Sequence, residues 1–358
     1  MQTATPAMAR AINDRLALDL LLEQGPLTAP QLRALTGLSR PTVSDLVERL
    51  RDGGLIEVTG ERGSDRRGPN ARLYGIVAGR AHVAGVDLRR DAVQVTVADI
   101  TGTVVGSARR PLPGAGGSAG SRPSAGGGLP AFLADTVSEA AGAHTPHTVV
   151  IGAPGLVAPS TGELAADNAV PGWHPGLRED VARRLGVPVV LENEVNLAAI
   201  AEHRTGTAAG RDDFALLWLD NGIGGAVVLG GRLRRGASGG AGEVGLLSVD
   251  GTTICDLLLP EALGGRSPDE AARRVAQAAF LLVAVLDPGL VVLAGSTARA
   301  GGDDLAVRVA EQLQALSPAP TEVRASTVDG NAILQGAVLT ALDGARDAVF
   351  GHPVAAPG

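Results

Sequence analysis

Ser39, Arg40, Thr42 and Ser44 bring hydroxyl and guanidinium groups together in one short stretch, with Arg49 further along it. Arg62, Arg66 and Arg67 follow within a glycine-rich segment. Hydroxyls and arginine forks bond base edges and phosphates, and clustered arginines reach a phosphate backbone or a narrow minor groove. This is the chemistry of holding double-stranded DNA, not of making bonds. No Gly-x-Ser-x-Gly nucleophile elbow occurs, and His82, His144, His147, His174, His203 and His352 lack the i, i+4 spacing of metal ligands. Cys255 is the one cysteine, which excludes an intrachain disulfide and a zinc site built from several cysteines. The reading therefore includes no metal and no cofactor.

The elements that must position these groups are legible in the apolar spacing. Leu16, Leu20 and Leu21, then Leu32 and Leu35 beyond a turn at Gly25-Pro26, predict two short helices. Thr28 caps the second and Gly37 breaks it. Ser39 caps a third, whose Val43, Leu46, Val47 and Leu50 fall at i, i+3, i+4 and i+7 and commit one face inward. The result is a helix-turn-helix that offers Arg40, Thr42, Ser44 and Asp45 outward, where such a helix meets the major groove. The segments LIEVT and ARLYGI pair as a hairpin around the tip GERGSDRRGPN, a cationic wing. A protein-binding winged helix with a solvated charged loop is the alternative.

Charge placement agrees with this position for the nucleic-acid surface. Residues 1–80 carry eleven Arg against nine Asp or Glu, whereas the remainder carries twenty against twenty-nine. A length of 358 residues leads us to expect two to three domains, at roughly 100–200 residues each. The expected division is a winged helix at 1–78 and an effector and dimerisation domain at 79–358. Pro111 to Pro130, PLPGAGGSAGSRPSAGGGLP, cannot bury apolar surface and is expected to be a mobile loop inside the second unit. No export signal is expected, because Leu16 to Leu22 carries Asp19 and is flanked by Arg15 and Glu23. Val275 to Leu286 falls short of the ~20 apolar residues a membrane span needs and reads as a core helix. A reducing cytoplasm fits, with no membrane partner.

The long remainder alternates strands and helices, the pattern of an α/β fold. Helices are expected at 176–185, 194–204, 269–286, 303–316 and 331–349, with strands at VPVVLE, FALLWL, GAVVLG, LVVLAG and TEVRA between them. HVAGVDLRRDAVQVTVAD and FALLWLDNGIGGAVVLGG each read as strand, polar turn, strand. That echo points to two related halves.

APGLV at 153–157, DNAVPGW at 167–173, ENEVNLAAIAE at 192–202, NGIGGAVVLGG at 221–231 and GASGGAGEVG at 236–245 resemble the ROK family of repressors, open reading frames and kinases. GLSRPTVSDLVERL resembles the winged helix of that family's repressor branch. The resemblance implies an actin-like, ribonuclease-H-like pair of lobes that bind a sugar in the cleft between them. It carries Asn168, Asn193, Glu194 and Glu243 over as the residues that would read sugar hydroxyls, since amides and carboxylates satisfy such groups in pairs. The alternative is that these residues only cap helices and satisfy turns.

The departures from the family pattern matter as much. The phosphate-binding Asp-Gly-Gly-Thr turn of its kinases is here Asp87-Leu88-Arg89-Arg90, with side chains where close backbone approach was required. Glu194 replaces the aspartate base, and Leu246 replaces the histidine that begins the family's zinc element. Trp173 and Trp218 are expected to pack, not to stack on a ligand. The resulting expectation is a transcription regulator, a repressor that responds to a sugar or sugar-derived ligand through a catalytically degenerate domain and acts as a homodimer or larger homo-oligomer. Two alternatives stand beside it: a sugar kinase with residual ATP-dependent activity, and a ligand-independent DNA-binding protein.

Overall fold

The computed structural model describes residues 5–62, 71–113, 128–164, 168 and 170–351. Its first elements are α1 (Pro6–Gln24), β1 (Leu27–Thr28), α2 (Ala29–Thr36) and α3 (Arg40–Asp52). The Thr28 hydroxyl accepts from the Gln31 N–H while the Gln31 side chain accepts from the Thr28 N–H, a reciprocal cap that fixes where α2 starts. Strands β2 (Ile56–Arg62) and β3 (Ala71–Ile76) pair antiparallel, and β1 joins the other edge of β3. Leu18, Leu32, Val43, Leu46, Leu50 and Ile56 fill the core of this winged helix. Arg66 and Arg67 lie outside the described residues, as do the Arg62 side chain, residues 114–127 of the glycine-rich segment, and His352.

The rest is built from two sheets of the same plan. Strands β4 (His82–Leu88), β5 (Ala92–Asp99), β6 (Val104–Pro111), β7 (Pro146–Ala153) and β8 (Val189–Asn193) run in the order β6-β5-β4-β7-β8. Helices α4 (Gly128–Ala141) and α5 (Leu177–Leu185) connect them, and α6 (Glu194–Thr205) leads onward. Next come β9 (Phe214–Leu219), β10 (Ile223–Leu229), β11 (Arg232–Leu233), a small hairpin of β12 (Ser248–Val249) and β13 (Thr252–Thr253), and the short helices α7 (Ile254–Leu258) and α8 (Pro260–Leu263). Helix α9 (Pro268–Leu286), β14 (Leu290–Ala294), α10 (Ser296–Leu316), β15 (Glu322–Ala325) and α11 (Ala332–Phe350) complete the fold.

The second sheet has the order β11-β10-β9-β14-β15. Reading across either sheet, the neighbours pair antiparallel, antiparallel, parallel and parallel. The sequence echo thus corresponds to a repeated topology, with β4–β5 and β9–β10 as equivalent hairpins. Strand alternation then sorts the core into layers. Ala84, Val86 and Val95 face α4 and α5, while Val83, Ala98 and Val150 face the other way onto α6 and α11. Leu216, Trp218 and Val292 of the second sheet face those same two helices, and Leu217 and Leu293 face α9 and α10.

The expected helices at 269–286 and 303–316 are both present, the latter preceded by a further helical stretch. The span α10 is two helical stretches joined across a kink at Gly302 (φ 54°, ψ −149°): the second is the expected helix at 303–316, and the first, from Ser296, is additional. The 275–286 run is the buried body of α9, and among the described residues no helix is long and apolar enough to cross a membrane.

The central layer depends on close approach. A Cβ on Gly336 of α11 would lie 1.9 Å from the Leu197 carbonyl oxygen of α6, so only glycine fits where the two helices cross. From there α11 runs to the winged helix. Phe350 at its end, with Ile100 and Ala81, shares the core that Leu18 and Leu46 form. Arg15 of α1 donates to Asp347 (2.8 Å) and to the Gly351 carbonyl, and Arg346 donates to the Ile100 carbonyl (3.0 Å).

Candidate functional site: a helix-turn-helix face and an inter-lobe cleft

The Ser39 hydroxyl accepts from the Thr42 N–H and bonds the Thr42 hydroxyl at 2.8 Å, so these two residues fix the start of α3. Arg40 and Ser44 are exposed on the same helix and, with Arg33 of α2, line the groove between α2 and α3. Sequence reasoning missed Arg33. Its place in the last turn of α2 is a usual position for a cation, and only the packing of α2 on α3 brings it beside Arg40. Arg49 is engaged elsewhere. Its guanidinium grips both carboxylate oxygens of Asp14, tying α3 to α1.

The second site is a cleft of about 350 Å³ between the sheets, lined by residues of both hairpins and the start of α11. Asp87, at the end of β4, is buried there. Its carboxylate accepts from Arg89 Nε (2.8 Å) and from Asn331 Nδ2 (2.8 Å), and Asn331 also reaches Gln94 Oε1 at 3.3 Å. The Arg89 guanidinium lies 5.8 Å from the centre of the Trp218 ring on the opposite sheet. Trp218 is thus a core residue that also walls the cleft. The turn itself is closed by the Arg89 N–H donating to the Ala92 carbonyl at 2.9 Å. Where a phosphate loop would offer backbone donors, this chain places an ion pair and a stacked arginine.

Of the four residues that the resemblance implies, Glu194 lines the cleft directly. Burial pushes its carboxyl up to about 7, its own backbone N–H at the start of α6 and Arg89 pull it down, and Asp87 and Glu243 push it further up. Glu243 is raised as well, by burial. Asn193 caps α6 through its Oδ1, which accepts from the Val195 and Asn196 N–H groups, while its Nδ2 donates to the Gly155 carbonyl (3.0 Å). Asn168 is buried and accepts from the Val170 N–H (3.0 Å). The Asn168 Cβ lies 3.2 Å from where a Cβ on Gly155 would sit, so Asn168, Gly155, Asn193 and Glu194 form one continuous wall. Glu243 approaches from the loop after β11, where Gly242 (φ 90°) allows the chain to pass against Gly225.

A buried carboxylate escaped the sequence reading. Glu192, at the end of β8, accepts from Asn196 Nδ2 (2.9 Å) and pairs with Arg235 at 2.7 Å, joining the first sheet to the loop after β11. It stands first in the Glu192-Asn193-Glu194 run, yet its partner is distant in sequence. The zinc element does not fit a metal: Leu246 is 75% exposed and offers no donor atom, and Cys255 packs partly buried against the core of the second sheet.

A ROK family model matches residues 83–262, and a MarR family model matches residues 12–68. The chain is 26% identical over 261 residues to the xylose repressor of Bacillus subtilis (strain 168), a match covering 70% of this chain and 64% of that protein. It therefore spans a little under two thirds of that relative's length. The glucokinase of Streptomyces coelicolor is 30% identical over 165 residues, 45% of this chain and 48% of that protein. Among solved structures, a ROK family transcriptional regulator described as a homolog of the E. coli MLC protein superposes with a TM-score of 0.71. That match covers 96% of this chain and 97% of the other at 16% identity, a likeness of fold. With the family model covering half of the chain, and with its hairpins, cleft and helix order in place, the chain belongs to the ROK family.

Proposed function

We propose that the chain is a DNA-binding transcriptional repressor whose ROK body senses a sugar or sugar-derived ligand and does not phosphorylate it. Residues 1–78 are the DNA-binding unit and 79–358 the effector and dimerisation unit. The observation that carries the reading is α11, whose N-cap Asn331 lies in the cleft and whose last turns, with Asp347 and Phe350, lie against the winged helix. A ligand that prefers one arrangement of the two sheets shifts α11 with them, and with it the helix-turn-helix. In a homodimer, such a shift changes the spacing of two recognition helices on a palindromic operator. The ligand changes DNA affinity only by its differential affinity for the two arrangements. The likeness to the xylose repressor supports this assignment and a cytoplasmic location.

Glu194 favours a second reading, a residual kinase. A carboxyl held near 7 at the position of the family's base suits proton removal from a sugar hydroxyl. Against it stands the Asp87–Arg89 pair, which occupies the turn where nucleotide phosphates would be held. A coupled assay with ATP, magnesium and a panel of hexoses separates the two. The regulator reading gives no turnover, and a rate above about 1 per second overturns it.

A further inference from the structure

We propose that the cleft takes an anionic sugar derivative, a monosaccharide carrying a phosphate ester or a carboxylate, whose negative group is held between Arg90 and Arg109. This rests on the reading above, that the cleft is the sensor, and names the class of ligand.

At the β4–β5 turn one cation is already paired. Arg89 is paired with Asp87, and Asp87 is completed by Asn331. Asp220, on the other hairpin, accepts from the Asn221 N–H (2.9 Å) and the Ser296 hydroxyl (2.8 Å), both neutral, and keeps its negative charge on that side of the cleft. Arg90 and Arg109 also line the cleft, and both are exposed. Unlike Arg89, neither has a hydrogen bond or ion pair among the described residues. One exposed acid at the hairpin tip, Asp91, remains beside them, so the uncommitted charge at this end of the cleft is net positive.

The fold sets where Arg109 points. Asp87, Gln94 and Arg109 are direct partners across β4, β5 and β6, so their side chains share the cleft-facing side of the sheet. Arg90 occupies the turn of that same hairpin. Guanidinium forks match the oxygens of a phosphate or carboxylate in bidentate geometry. Elsewhere in the lining, Glu194 and the exposed Asn221 of the other hairpin supply a carboxyl and an amide for hydroxyl groups, and protonation of Glu194 near neutral pH removes a charge that would repel an anion. A cleft of about 350 Å³ is of the size used for small ligands, about 300–1,000 Å³. The Arg90 and Arg109 side chains thus read the anion in place of a backbone phosphate loop.

The test is calorimetric titration and thermal melting of the whole chain at neutral pH. The compounds are glucose 6-phosphate, glucose 1-phosphate, gluconate and glucuronate, with glucose, xylose, inorganic phosphate and ATP with magnesium alongside. The expected result is that at least one anionic sugar binds at least about tenfold more tightly than its neutral parent. The double variant R90A/R109A, melting unchanged without ligand because both residues are exposed, should lose that advantage. Whether the phosphate esters or the sugar acids bind tells which anion is read. Neutral sugars binding equally well, with R90A/R109A indifferent, overturn the anionic ligand and leave the sensor reading intact. Inorganic phosphate binding as tightly as every sugar phosphate overturns the sugar half, and preference for ATP overturns the ligand class. Binding by none of these compounds contradicts the proposal and the sensor reading together.

Discussion

Arg15 of the first helix and Asp347 of the last lie 2.8 Å apart, so the two ends of the chain meet at the junction between the winged helix and the ROK body. Asp19 is a second carboxylate partner of the arginine at 2.9 Å, and Arg346, nearly three turns beyond Gly336, holds the Ile100 carbonyl. The guanidinium is largely buried, so removal of a partner leaves a charge poorly compensated. Asp347→Ala should destabilise the protein by about 1–3 kcal/mol in urea unfolding. It should also reduce the effect of a cleft ligand on DNA affinity while leaving affinity without ligand within about threefold, as expected of a residue remote from the recognition helix. Full retention of the ligand effect would remove this pair from the coupling route.

The crossing of α6 and α11 sets up a matched comparison within one helix. Gly336→Ala forces a Cβ against the Leu197 carbonyl and should cost at least about 1–3 kcal/mol. Gly344→Ala, on the same helix with nothing within 4 Å of the new Cβ, should stabilise by about 0.5–1 kcal/mol. Equal effects in denaturant titrations would mean that the central layer is not packed as described.

Glu194 gives a pH signature. Its folded-state value of about 7 lies above the ordinary 4.5, so between these values the folded protein holds a proton that the unfolded chain releases. Stability from this group is therefore present at low pH and declines as pH rises through that window. Glu194→Gln cannot ionise. Its melting temperature relative to wild type should rise from pH 5 to pH 8, by the equivalent of on the order of 2 kcal/mol. A difference that does not change with pH would contradict the raised carboxyl.

On the DNA side, α3 and the wing should behave differently. Arg40→Ala should alter which sequences are preferred, because Arg40 is exposed at the start of the recognition helix. The double variant R66A/R67A should weaken binding to all duplexes alike and reduce the salt slope by roughly one per lost phosphate contact. Filter binding or anisotropy across a salt series distinguishes them. An unchanged slope would exclude the wing arginines from the backbone contact.

What the sequence showed and what it hid follow a physical line. Thr28, Gly37 and Ser39 act within a few residues of themselves, so the helix-turn-helix could be read from its caps. The repeated hairpins were likewise visible, because alternation within a strand is local. The Asp87–Asn331 and Glu192–Arg235 contacts join residues far apart in sequence, and no local pattern announces them. The Gly301-Gly302 pair signals a break, and the chain does break at Gly302; the turns before it, from Ser296, start without a capping side chain to announce them.

In the proposed regulator the cleft governs the DNA-binding face. The most direct test of that control is fluorescence anisotropy of the whole chain titrated onto the duplex upstream of its own gene, with and without the compounds used above. Specific binding is expected, with an affinity that changes by about 5- to 150-fold when a cleft ligand is present, the usual span of allosteric coupling. The Asp347→Ala variant should show a smaller change. Specific binding that is indifferent to a ligand shown by calorimetry to occupy the cleft would contradict it.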